Sequence, residues 1–119
     1  MTSVVEAGNL SPREGARIEF LIHAVATLEN GQFIRNGSVY GAEAAASHLR
    51  LKLGKAGSAV KSAEDFIRYC GTGSSVSGKA YEIRFADGRV VPSATFLHER
   101  LAEYDAAHPR GPQSTVGTR

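Results

Sequence analysis

The sequence predicts a single compact α+β domain, mainly helical, with about four helices and one small β-hairpin. Three observations carry that class. Apolar residues recur at helical spacing in separate stretches, most of them opened by a capping residue or closed by a glycine. One short stretch alternates instead and runs into an Asp-Gly turn. The chain has 119 residues and is 42% apolar, enough for one core rather than two.

Residues 1–10 read as a flexible start, 11–107 as the globular domain and 108–119 as a mobile tail. The first helix opens with Ser11 as cap, Pro12 in the first helical position and Glu14 completing a capping box. Ile18, Leu21, Ile22, Val25 and Leu28 form its apolar stripe, and Gly31 stops it. Asn36-Gly37 then reads as a turn leading to a second helix, AEAAASHLRLKL, which buries Ala45, Leu49 and Leu53 and ends at Gly54. Ser62 caps a short third helix that points Phe66, Ile67 and Cys70 inward.

GTGSSVSGK is too polar and too rich in glycine for a regular element and reads as a loop. AYEIRF alternates, with Tyr81, Ile83 and Phe85 on one face, and Asp87-Gly88 turns it into RVV. Ser93 caps the last helix, whose Phe96, Leu97, Leu101 and Tyr104 face the core. HPRGPQSTVGTR, from His108, has no apolar period.

The totals weigh against several function classes. Fourteen Lys and Arg face twelve Asp and Glu, a formal charge of +2 with the signs interspersed, so a nucleic-acid partner is not expected. No run reaches the length of a membrane span, so no membrane insertion is expected. Cys70 is the one cysteine and falls on an apolar helix face, where a buried, unreactive thiol is expected. His23, His48, His98 and His108 match neither H-x-x-x-H nor HExxH, so no metal and no cofactor is expected. Arg50, Lys52 and Lys55 lie near the end of the second helix, where cations complement the helix dipole.

GSSVSGKA, residues 73–80, comes within one residue of a phosphate-binding loop. Gly73, Gly78 and Lys79 fit G-x-x-x-x-G-K-[ST], but Ala80 stands where the metal-binding hydroxyl belongs. A helix also precedes the segment and a strand follows it, the reverse of the order that aims a helix N-terminus at phosphate. No nucleophile elbow is present either, because Ser77 occupies the last glycine position after Gly73-Ser74-Ser75-Val76. A serine hydrolase is therefore the weakest reading, and no catalytic residue is assigned. A polar loop held at both ends presents hydroxyls and backbone amides, which suits binding better than catalysis.

FIRNG (33–37), HLRLKLG (48–54), SAEDFI (62–67) and SSVSGKAY (74–81), in this order, resemble the YfeK-like family of small proteobacterial envelope proteins. The resemblance spans roughly residues 11–105 and includes the periplasmic immunity proteins that neutralise type VI secretion amidase effectors of the third family. It implies a protein exported to the periplasm, with no known activity of its own. In the immunity branch, it implies an inhibitor of an NlpC-like, papain-type cysteine amidase acting on peptidoglycan. On that reading Gly73, Ser74, Ser75, Val76, Ser77, Gly78 and Lys79 face the amidase: the serines meet its Cys/His dyad, the glycines allow close approach and Lys79 meets an acidic rim.

Arg35, Asn36 and Arg50 either brace that loop or extend the contact. The sequence departs from the relatives at Ala80, where proline is common before the tyrosine. MTSVVEAGNL has no export signal, as expected of a mature periplasmic form. A homodimer presenting two such loops is compatible with the sequence. The alternative is an orphan envelope protein of the same fold that binds a cell-wall fragment or another protein.

Overall fold

A computed structural model describes residues 10–74 and 77–109, and the chain within them follows the capping chemistry closely. Helix α1 (Pro12–Ala26) begins where the Ser11 side chain accepts the amide of Glu14 at 3.2 Å. The predicted capping box closes on that side only. The Glu14 carboxylate instead accepts from Arg17 at 2.7 Å and from the amide of Ala63 at 2.8 Å, so it caps another helix across the core. The helix ends at Ala26, ahead of Leu28, and Gly31 follows Asn30, whose φ of 57° already breaks the helical path.

Asn36-Gly37 does not lead into a helix directly. It forms the tip of a hairpin between β1 (Gln32–Arg35) and β2 (Ser38–Tyr40), with φ of 53° and 82° at the two turn residues. Positive φ at both positions is the geometry that suits the twist of a two-residue hairpin. Helix α2 (Ala42–Ala56) follows, running past Gly54 and stopping at Gly57, where φ is 54°.

Helix α3 (Ala63–Phe66) is capped as expected, Ser62 accepting the amide of Asp65 at 3.0 Å, and continues as one π-helical turn over Ile67–Gly71. Strand β3 (Glu82–Arg84), β4 (Val90–Pro92) and helix α4 (Ser93–Ala107) complete the chain. Ser93 is the first helical residue rather than the cap, a position held by Pro92, and its amide donates to Tyr81 O at 2.8 Å.

The four strands form one antiparallel sheet in the order β2-β1-β3-β4. The α+β, mainly helical class holds, with a sheet of two hairpins where the sequence shows one. In register, Phe33 pairs with Tyr40 and Ile83, and Ile83 pairs with Val91, so these four side chains share one face. That face packs on the helices, around a core containing Ile18, Leu21, Ile22, Leu49, Phe66 and Leu97. The other face carries Gln32, Val39, Glu82, Val90 and Pro92 into solvent.

One buried cation ties the helical layer together. Arg17, 4% exposed, donates in pairs to Asp105 and to Glu64 and once to Glu14, at 2.7–3.0 Å, which uses all five of its N–H groups. Hydrogen bonds donated to Glu64 first, and then to Asp105, hold its pKa well above the ordinary arginine value despite burial.

Candidate functional site

The glycine-serine loop leaves the π turn at a tight place. A Cβ on Gly71 would lie 2.5 Å from Leu97 Cδ1, so the absence of a side chain lets the turn sit directly on α4. The segment then closes on itself: Tyr81 N donates to Thr72 O at 2.9 Å, Ser74 N to Lys79 O at 3.0 Å and Gly78 N to Ser74 O at 2.8 Å. Gly73 and Ala80 pair across the neck as an isolated antiparallel bridge. A Cβ on Gly73 would meet Lys79 O at 2.8 Å, so the neck itself needs glycine. The loop is thus an extension of β3 folded back on the end of the π turn.

Two side chains from elsewhere fix its shape. Asn36, at the tip of the β1–β2 hairpin, donates through Nδ2 to Ser74 Oγ at 3.3 Å and accepts from Ser77 Oγ at 2.5 Å. Ser74 Oγ also accepts the amide of Ser77 at 3.2 Å, and Ser77 Oγ accepts that of Lys79 at 3.1 Å. On the other flank Lys52, from α2, donates to Gly73 O at 3.1 Å and to Tyr81 Oη at 2.9 Å. Its ammonium also lies 5.0 Å from the Tyr81 ring centroid.

These contacts divide the sequence-predicted residues. Ser74 is buried at 8% and works from inside the loop, while Ser77, Gly78 and Lys79 are exposed at its tip. Ser75 and Val76 lie outside the described residues. Asn36 is a brace. Arg35 sits beside it with its guanidinium 5.5 Å from the Tyr40 ring centroid. Arg50 is not brought to the loop: two residues from both His48 and Lys52 on α2, it points to another side and pairs with Glu19 of α1 at 2.9 Å.

Sequence reasoning missed Lys52, His48 and Tyr81 as members of this arrangement. Their one local signal is the four-residue spacing of His48 and Lys52, which puts both on one helix face. His48 Nε2 lies 3.3 Å from Tyr81 Oη. Burial lowers the His48 pKa, and Arg35, Lys52 and Lys55 lower it further, so the imidazole is neutral at pH 7. Since Lys52 donates to the Tyr81 oxygen, the phenol proton is free to bond a neutral His48.

Beside this cluster a cleft of about 150 Å³ opens between the β1–β2 hairpin and α2. Val25, Phe33 and Leu49 form its apolar floor, and Arg35, His48 and Tyr81 supply polar groups. Cys70 lies in the core, where burial pushes its thiol up to about 11, unsuited to act as a thiolate. Among the described residues, no three His, Cys, Asp or Glu side chains gather in a way that could hold a metal ion, and no helix is long and apolar enough to cross a membrane.

The model of a family of unknown function, DUF5329, matches residues 12–105, nearly the whole 11–105 span of the resemblance. The uncharacterized protein YfeK of Salmonella typhimurium is 41% identical over 73 residues, which take in 61% of this chain and 61% of that protein. The chain therefore spans less than two thirds of the length of this relative. No solved structure matches.

Proposed function

The chain belongs to the family of unknown function DUF5329, and we propose that it acts as a periplasmic immunity protein inhibiting a papain-type peptidoglycan amidase delivered by type VI secretion. The observation that supports this reading most is the bracing of the 73–79 loop by Asn36 and Lys52, which presents Ser77, Gly78 and Lys79 in one shape. Groups held in place before contact spare the complex the entropy of ordering them.

The hydroxyl chemistry fits the target. Ser77 spends its proton on Asn36 and accepts the Lys79 amide, which leaves one lone pair of an exposed residue unused. A papain-type site pairs a thiolate with an imidazolium, and the imidazolium is a donor in need of an acceptor. Ser77 meets it without offering a cleavable bond. Lys79 meets an acidic rim of the enzyme cleft. Ser74 contributes by holding the loop rather than by entering the cleft.

The test looks for a papain-type amidase encoded beside this chain's reading frame and assays it on purified peptidoglycan. Ser77→Trp and Lys79→Glu, both at exposed positions, are expected to weaken inhibition by about 30-fold or more, as for central interface residues. Arg50→Ala, away from the loop, is expected to leave it unchanged. Undiminished inhibition by folded Ser77→Trp and Lys79→Glu proteins overturns the plug. Absence of any such enzyme leaves the orphan envelope protein as the better reading.

A further inference from the structure

The cleft between the β1–β2 hairpin and α2 has a composition that the bracing of the loop does not require. Ala44 and Ala45 face it from α2, and these methyl side chains leave open the space beside Phe33 and Leu49. The volume of about 150 Å³ equals that of apolar cavities that take up a benzene-sized guest. Its lining is otherwise mainly apolar, with Arg35, His48, Tyr81, Glu82 and Ser93 as the polar members.

Charge selects what enters. Among the described residues Arg35 makes no ion pair, and its nearest interaction is with the face of Tyr40. The charges acting on His48 are Arg35, Lys52 and Lys55, all cationic. Of the three only Arg35 lines the cleft, and Lys52 is engaged by Gly73 O and Tyr81 Oη, so the Arg35 fork is the cation a ligand meets there. Glu82 also borders the cleft, but it pairs with Ile34 in register, one position off the inner face, and is exposed. Its carboxylate belongs to the solvent side of the sheet.

We infer that this cleft is a binding site for a small carboxylate with a ring-sized apolar body, the body on Phe33, Ala45 and Leu49 and the carboxylate on Arg35. A planar guanidinium matches a planar carboxylate through two parallel hydrogen bonds, which fixes orientation as well as charge. Binding in the cleft does not require an enzyme at the 73–79 loop.

Phenylacetate is the probe, titrated into the protein and followed by amide chemical shifts. Saturable shifts at Phe33, Ala45, Leu49 and their neighbours are expected, with a Kd of about 0.1–10 mM. Phenylacetamide, equal in size and uncharged, is expected to bind about tenfold more weakly. Ala45→Leu fills the space and should abolish binding of both. Arg35→Gln should bring phenylacetate down to the level of phenylacetamide while leaving the latter unchanged, and it does so without altering the core. No saturable shift at these amides overturns the site. Equal affinity for acid and amide in the wild type, or undiminished binding in a folded Ala45→Leu protein, does so as well.

Discussion

Asn36 does two jobs that its neighbours in sequence do not reveal. Its backbone accepts a φ of 53° at the hairpin tip, and its amide group joins Ser74 to Ser77 across the loop. Asn36→Gly separates the two, because glycine keeps the turn geometry and removes the amide. Loss of two such hydrogen bonds is expected to cost about 1–2 kcal/mol and to speed hydrogen exchange at Ser77, Gly78 and Lys79 selectively. Equal protection of these amides in the variant would show that the neck alone holds the loop. The residue type and the turn were legible in FIRNG, and so was the polar loop. The pairing of position 36 with position 77 was not, because it depends on how two hairpins are laid side by side.

Elements became legible in proportion to their length. The long helices repeat their apolar spacing over several turns, so their periodicity shows in the sequence. Strands of three or four residues offer too few alternations, and the hairpin at Asn36-Gly37 therefore reads as a mere connection. Gly54 and Ser93 mislead for a related reason: a glycine inside a helix costs only about 1 kcal/mol, and a serine serves at the first helical position as well as at the cap. Gly71 is the glycine by which the π turn packs on α4. Gly71→Ala places a methyl against Leu97, and overpacking of this kind is expected to cost about 1–3 kcal/mol, read as a lower urea midpoint at unchanged slope.

At the scale of the whole molecule, Arg17 links α1 to α3 and α4 through Glu64 and Asp105. Arg17→Met keeps an unbranched apolar stem and removes the charged guanidinium. The loss is expected to be about 2–3 kcal/mol, less than for a fully enclosed pair because Glu64 and Asp105 reach solvent. Hydrogen bonds from Arg17 hold the Glu64 carboxyl below its ordinary value. The folded chain therefore binds that proton less readily than the unfolded chain. The stabilisation is complete above the unfolded glutamate value of about 4.3 and is lost as pH falls through the lower folded value. Urea midpoints measured from about pH 6 to pH 3 should fall less steeply for Arg17→Met than for the wild type. An identical acid limb would place the linkage elsewhere. The sheet carries a different consequence. Ser93 N donates to Tyr81 O, so along β4 the alternate backbone nitrogens, Val90 and Pro92, are the ones that point away from β3, and Pro92 has no hydrogen to give. That border of the sheet is blunted, whereas β2 at the opposite border carries no proline. Growth by strand addition is consequently one-sided: two copies joined β2 to β2 would use up the receptive borders, a geometry that ends in pairs and does not propagate into fibres.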